Sequence, residues 1–399
     1  MESAVDSEKS SYSLPDLVIM AFTHFANHVY VQIHLALIPV FMKEFDLSLG
    51  LIGIMVMIPI LFEAFTTIPA GFLADKLGCS RQIIVSLCLT AAAAILMTQA
   101  SNVYFVIISL SLLALSTTIY HPPAYGAVSQ MFQAERNKAL GIHGAGGTLG
   151  WALGPLSVGL LLEVAGWRLV YLLWVPPTLI CIFLLMKMRL PDMKAHTAIE
   201  RGGEGLKSMF TVAFSTVLAV IAINSVGRQI VSTLMSPYIV LMRGFSVQTA
   251  SYIIGLIALT GIVAAPVGGF IADRIGEKKW LTLSMTSSLV ALVGFTNVRT
   301  VEGLYLLGIM YGYSVYSGMA PNAALVSHFT PSSKRGLGYA LYFLPSYIAG
   351  AVAPAIGTAS AELYGMWSSF LLAATLLMGA IILLQKVPRT KQTEPPPTS

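Results

Sequence analysis

Gly71-Phe72-Leu73-Ala74-Asp75-Lys76-Leu77-Gly78 returns as Gly269-Phe270-Ile271-Ala272-Asp273-Arg274-Ile275-Gly276, an offset of 198 residues in a chain of 399. A repeat at half the chain length means two copies of one unit. Each octet closes a long apolar segment. Working outward, Arg136 matches Arg335 and Pro155 matches Pro354 at an offset of 199, while Phe45 matches Phe245 at 200, with Met42-Lys43 against Met242-Arg243. The matches keep the same order, so the two copies are expected to run in parallel topology about an axis along the membrane normal.

Composition places the chain in the membrane. It is 56% hydrophobic and 10% charged, where a soluble domain carries about 25% charged residues. The net charge of +5 is spread over short loops, so no nucleic-acid partner is expected. Cys79, Cys88 and Cys181 show neither metal spacing nor a disulfide framework. Residues 1–15 are polar and acidic and lack the basic start of a signal peptide, so the first apolar segment is expected to stay as a span.

Crossing the hydrocarbon takes about 20 apolar residues. Such stretches fall at 16–41, 50–74, 83–101, 104–130, 140–163, 168–188, 210–240, 247–272, 281–298, 302–329, 336–360 and 365–387. The reading is an all-α membrane protein of twelve transmembrane helices in two six-helix halves, 1–188 and 209–399. A cytoplasmic linker at 189–208 contains Lys194, Arg201, Lys207 and three glycines. With both termini inside, Lys43, Arg168, Arg243 and Arg299 fall outside and Arg228 falls within the membrane. The other 18 of the 23 basic residues are then cytoplasmic, as the positive-inside rule requires.

The octet and the following Arg81 resemble the loop 2–3 signature of the major facilitator superfamily. Gly146-Gly147 through Gly150, Gly154-Pro155 and Gly159 in span five resembles that superfamily's Gly-Pro signature. A narrower likeness, to the fosmidomycin-resistance group of efflux proteins, rests on His24-Phe-Ala-Asn27, Tyr120-His121-Pro122 and Gly146-Gly147 with Gly154-Pro155. In that group Asp usually follows the Asn and Glu follows the His-Pro; this chain has His28 and Pro123. The resemblance implies a multi-pass cell-membrane protein acting as a monomer. It would be a secondary active transporter that moves a small organic compound, anionic or drug-like, by alternating access. Proton coupling is expected, with efflux favoured. Proton-linked uptake or facilitated diffusion of a metabolite is the alternative, and a polytopic membrane enzyme using His121 and Glu63 the remote one. The partners are the substrate, protons and membrane lipid; no cofactor is expected.

Charges at membrane depth are costly and point to function. Glu63, in the middle of span two, reads as a protonatable carboxylate, or otherwise as a structural hydrogen-bonding group. Arg228, in the middle of span seven, reads as an anion hook, since guanidinium offers a planar fork of donors; the plainer reading is a pin to Glu63. Asn224 lies one turn earlier on the same face. On span one, His24, Asn27, His28 and His34 share an arc of about 120° at 100° per residue. His24 and His28 are therefore candidates for both substrate binding and proton coupling, as His titrates near physiological pH. Their i,i+4 spacing also suits a metal, but no carboxylate shares the face and no Cys cluster exists, so no metal is expected. Tyr120 and His121, which with Asn27 and Asn224 are further candidates for substrate binding, precede Pro122-Pro123, which is expected to break span four, with a purely mechanical kink as the plain reading. His143 and His328 read as interfacial groups. Gly71, Asp75, Arg81 and Asp273, together with Gly150, Gly154 and Pro155 of span five, are expected to serve gating. The central cavity is expected between the halves, lined by spans one, four, seven and ten.

Overall fold

The structure, a computed structural model, describes residues 12–191, 210–330 and 335–388, with 68, 71–76 and 335–346 described for backbone only. The expected linker lies outside the described residues from 192 onward. Among the described residues all regular structure is helical, and it falls into twelve spans. Span one is Leu14–His28 and Ile33–Glu44, span two Leu49–Leu77, span three Cys79–Thr98 and span four Val103–Met131. Arg136–Leu173 holds span five and the start of span six, which continues as Val175–Lys187. Span seven is Val212–Pro237 with a π-helical turn Tyr238–Met242, and span eight is Val247–Leu259 and Gly261–Ile275. Spans nine to twelve are Glu277–Asn297, Val301–Ser317 with Met319–His328, Arg335–Tyr364 and Met366–Leu384. Among the described residues eight helical stretches are long and apolar enough to cross a membrane, one of them the 52-residue Arg136–Lys187 that contains two spans. The perimeter is apolar and open, with Phe65, Leu160, Val164 and Ile382 all exposed, as a lipid-facing surface must be.

The repeat is written into the backbone as well as the letters. Spans two and three turn at Gly78 (φ 74°, ψ 159°) and spans eight and nine at Gly276 (φ 90°, ψ 142°). Spans five and six turn at Gly166 (φ 72°, ψ 164°) and spans eleven and twelve at Gly365 (φ 87°, ψ 154°). Each corner takes one residue at positive φ with extended ψ, which only glycine adopts without strain.

Span five lies against span one through its glycines. A Cβ at Gly146 would stand 2.2 Å from the Ala21 carbonyl oxygen, one at Gly150 2.7 Å from that of Phe25, and one at Gly154 2.1 Å from that of Val29. Glycines four residues apart meet carbonyls four residues apart, so two backbones touch along two turns. Gly154→Val is expected to cost on the order of 3 kcal/mol by overpacking, read as a lowered melting temperature in detergent. Gly144→Ala, whose added carbon meets open space, should melt like the parent. Equal melting of the two variants would refute this packing.

Two expectations about helix continuity need correction. Span four is not broken at Pro122-Pro123; it runs unbroken from Val103 to Met131. Proline 123 removes the donor for the Ile119 carbonyl, and Gln82 of span three supplies one in its place, its Nε2 donating at 3.0 Å to Ile119 and at 3.1 Å to Ala70 of span two. Span one, conversely, is interrupted at 29–32, where Val31, Ile33 and Leu35 donate to carbonyls three residues back. The 100° periodicity therefore fails beyond His28, and His34 does not join the stripe. Irregular backbone at this depth persists only against protein or a watered cavity; here the Val29 carbonyl lies against Gly154 of span five and Gln32 borders a cavity.

The halves meet mainly on the face away from the termini. Gly53 lies under Thr358 and Pro354, Gly159 faces the Tyr252 ring and Gly255 faces Leu156. Ser236 Oγ donates to the Ala36 carbonyl at 2.9 Å. Glu362 of span eleven accepts from the Gly50 backbone N–H at 2.6 Å, capping the N-terminus of span two across the interface.

Candidate functional site

The break in span one places Gln32 at the edge of a cavity of about 60 Å³ between the halves, lined also by Arg228, Met235, Ile254, Tyr311 and Tyr316. These residues come from spans one, seven, eight and ten, so span eight stands where span four was expected. Arg228 is exposed to this space. Its charge acts on the phenols of Tyr311 and Tyr316, and Tyr316 reaches Gln32. Among the described residues no carboxylate is ion-paired with Arg228; the salt bridges join Lys138 to Glu135, Arg168 to Glu44 and His328 to Glu277. The pin to Glu63 is therefore not made. Asn224 does not face the same space: it lines a second cavity of about 10 Å³ behind Arg228, with Ser288 and Leu292.

The imidazoles form a separate group inside the N-terminal half. His24 and His28 are 3% and 4% exposed, so the stripe of span one faces protein, not lipid. The His28 ring sits 5.1 Å from that of His121, with their Nε2 atoms 3.1 Å apart. The His24 ring stacks on His143 at 4.4 Å and lies 5.5 Å from Tyr120. Tyr120 is fully buried, and its hydroxyl meets Thr23 at 2.7 Å. His143 is also fully buried, which corrects the interfacial reading; it lies two turns inside span five, not at its mouth. His328, by contrast, is exposed, its Nε2 3.0 Å from Glu277. Trp151 of span five separates the imidazoles from Arg228. Its ring stacks on His28 at 4.9 Å and meets Tyr316 at 6.5 Å. The guanidinium and the imidazoles thus occupy two compartments with one indole between them.

The remaining candidates are spread out. Asn27 faces spans three and four, where its amide donates to Ser116 at 2.9 Å and to Ser86 and Thr90 at 3.3 Å. Thr90 and Ser116 close this knot with a short mutual contact. Glu63 lies in span two with its backbone carbonyl accepting from Thr67 at 2.8 Å, and no ion pair reaches it among the described residues. Gly71 lies in the span two helix; the Asp75 side chain lies outside the described residues. Arg81 and Asp273 are exposed; polar ties among the described residues of this face include Glu277 to His328 and Lys278 Nζ to the Val387 carbonyl at 2.6 Å. Pro155 sits inside the span five helix beside Gly154.

Replacing the Glu362 carboxylate by an amide weakens a charge-assisted cap at a partly solvated helix end, worth about 0.5 kcal/mol. Glu362→Gln should move the distribution of distances between spans two and eleven on the outer face toward the separated state, roughly twofold in population. Spin labels on that face read it, and an unchanged distribution would refute the role.

The family model of the Major Facilitator Superfamily matches residues 20–223 and again 217–399. The chain belongs to this superfamily. It is a multi-pass membrane transport protein and not an enzyme, and the doubled match accounts for the repeat. Among relatives of this superfamily member, the riboflavin transporter RibZ of Clostridioides difficile (strain 630) is 23% identical over 356 residues, 75% of this chain and 77% of that protein. The multidrug resistance protein MdtG of Escherichia coli (strain K12 / DH10B) is 25% identical over 343 residues, 82% and 81% of the two chains. The fold is also that of a bacterial homologue of the human lysosomal transporter Spinster, solved inward-facing and occupied, with TM-score 0.80, 14% identity and 94% and 96% coverage. The nucleoside transporter NupG superposes with TM-score 0.80 at 12% identity, covering 93% and 99%.

Gln32, Tyr311, Tyr316, Trp151 and Glu362 were not singled out from the sequence, and His143 was named only as an interfacial group. Gln32 carried a signal, as an amide in an apolar span; the aromatics did not, because Tyr and Trp also serve as ordinary packing groups.

Proposed function

We propose that this superfamily member is a proton-coupled secondary active transporter that moves a small organic anion, drug-like in character, by alternating access, with efflux its main direction. The observation that carries this reading is Arg228, a guanidinium open to the cavity between the halves without a carboxylate partner among the described residues. Bringing such a charge to the membrane centre costs about 2.5–3.5 kcal/mol on insertion scales, and a substrate carboxylate, sulfonate or phosphonate would offset it through paired hydrogen bonds. Tyr311, Tyr316 and the nearby Trp151 suit a flat organic body next to that charge. The names of RibZ and MdtG, a riboflavin and a multidrug transporter, are in keeping with flat, drug-like cargo. Glu63 and the histidines at 24 and 28 supply the exchangeable protons, and the narrower fosmidomycin-resistance likeness favours export.

In this scheme residues 1–188 and 209–399 rock as two bodies about the cavity, joined through 189–208. The inter-half contacts on the face away from the termini support a state closed there. The octets at 71–78 and 269–276 act at the opposite face. Flux into proteoliposomes, with a panel of organic anions and neutral drugs and with or without an imposed pH gradient, tests the reading. Anion counterflow driven by the gradient is the expected result. Transport of neutral compounds alone, indifferent to the gradient, would refute it.

A further inference from the structure

One ring nitrogen from each of His24, His28 and His121 lies within 4.8 Å of the others. The sequence spacing shows only the first two; the third arrives from span four, 93 residues beyond His28. How their protons are placed follows from their partners. His24 Nδ1 is 2.8 Å from the His143 carbonyl. A carbonyl only accepts, so Nδ1 carries the hydrogen and Nε2 is left as a bare lone pair. That Nε2 is buried and has no hydrogen-bond partner. His121 leans on the Thr117 carbonyl one turn back. One proton bridges the Nε2 atoms of His28 and His121 at 3.1 Å, and His28 Nδ1 is then also buried without a partner. Among the described residues no donor meets the lone pairs of His24 Nε2 and His28 Nδ1, although leaving such a group unmet costs about 1–3 kcal/mol. An electron-pair acceptor such as a metal ion would meet them.

We propose that His24, His28 and His121 form a binding site for a divalent transition-metal ion of the zinc class, bridging spans one and four. The ligand type suits this metal: neutral imidazoles bind zinc at about 2.0–2.1 Å, and three protein ligands with one open position make an exchangeable site. A backbone carbonyl holding the far nitrogen of a ligating ring is the usual outer support of such sites, and His24 already has one. Two of the nitrogens stand at 3.1 Å, close to the separation that ligands of one small ion take. On binding, the proton between them moves to His28 Nδ1, which is free to carry it. Both Nε2 lone pairs then face the ion, and His24 alone must close in. Gly147 gives the His24 ring its room, since a Cβ there would come within 2.6 Å of the imidazole. Entry is from the side of His121, which is only partly buried and lies under the exposed Tyr125 ring, 5.8 Å away. Three neutral ligands leave the ion its charge, and water or hydroxide takes the fourth place. The proposal stands apart from the anion reading, because Trp151 lies between this cluster and Arg228; while the ion is bound, the histidines at 24 and 28 are withdrawn from proton exchange and Glu63 alone carries it.

The test is a Co²⁺ and Zn²⁺ titration of the full-length, chelator-stripped protein without a polyhistidine tag, in detergent. A saturable visible spectrum of tetrahedral Co²⁺ at one ion per chain, displaced by Zn²⁺, is the expected result. His121→Gln should weaken binding by more than about tenfold, and His28→Gln reads the same loss should the first variant not fold. His328→Gln, at the distant interface, should bind like the parent. No saturable spectrum in the parent protein, or affinity equal to the parent's in both His121→Gln and His28→Gln, overturns the proposal and leaves protons as the only occupants of these lone pairs.

Discussion

Arg228→Ala is expected to abolish transport of an anionic substrate and to weaken its binding by about 10- to 100-fold, the worth of a hydrogen-bonded charge, roughly 1.5–3 kcal/mol. Lysine should not rescue it. Lysine keeps the charge but offers a compact ammonium in place of the planar fork, so a bidentate contact is lost in Arg228→Lys as well. The geometry favours a ligand role over a packing role. The side chain is open to the cavity, flanked by Tyr311 and Tyr316, and no carboxylate is ion-paired with it among the described residues. Scintillation proximity or calorimetric binding with the purified variants checks this. Full affinity in Arg228→Ala would make the residue structural and would remove the anionic substrate with it.

The second large effect concerns coupling. Glu63→Gln is expected to eliminate transport driven by a pH gradient, by at least about tenfold, while substrate binding and the melting temperature hold. Glutamine is close in shape to protonated glutamic acid but cannot release the proton. No described cation is ion-paired with Glu63, so the amide breaks no salt bridge that the structure shows. Gradient-driven flux compared with exchange at equal pH separates the two functions. If Glu63→Gln retains gradient-driven flux, the protons must move through the histidines at 24 and 28.

The span count, the parallel repeat and the depth of Arg228 were legible in the letters because each rests on a long apolar run or on a match over half the chain. The failures share one cause. The break at Val29-Tyr30-Val31-Gln32 contains neither glycine nor proline, and it sits where the Val29 carbonyl meets Gly154 of another span. The unbroken course through Pro122-Pro123 depends on Gln82, forty residues earlier. The partition of the site depends on Trp151, which in one dimension is one more apolar residue of span five. In each case a contact between distant segments decides what local propensity leaves open.

The four glycine corners carry a mechanical consequence. Spans two and three, five and six, eight and nine, and eleven and twelve are each joined by a single residue of fixed conformation. Spans one, four, seven and ten are instead flanked by connections of several residues. Each half is thus an assembly of two stiff staples and two loosely tethered rods. The rods carry Gln32, Arg228, Tyr311 and Tyr316 on one side of Trp151, and His24, His28 and His121 on the other. A rod is held by packing, as span one is by the glycines of span five, rather than by a one-residue corner, whereas the two spans of a staple are bound to each other by the chain itself. The chemistry has been placed on the members that packing holds, and the frame on those that the corners join.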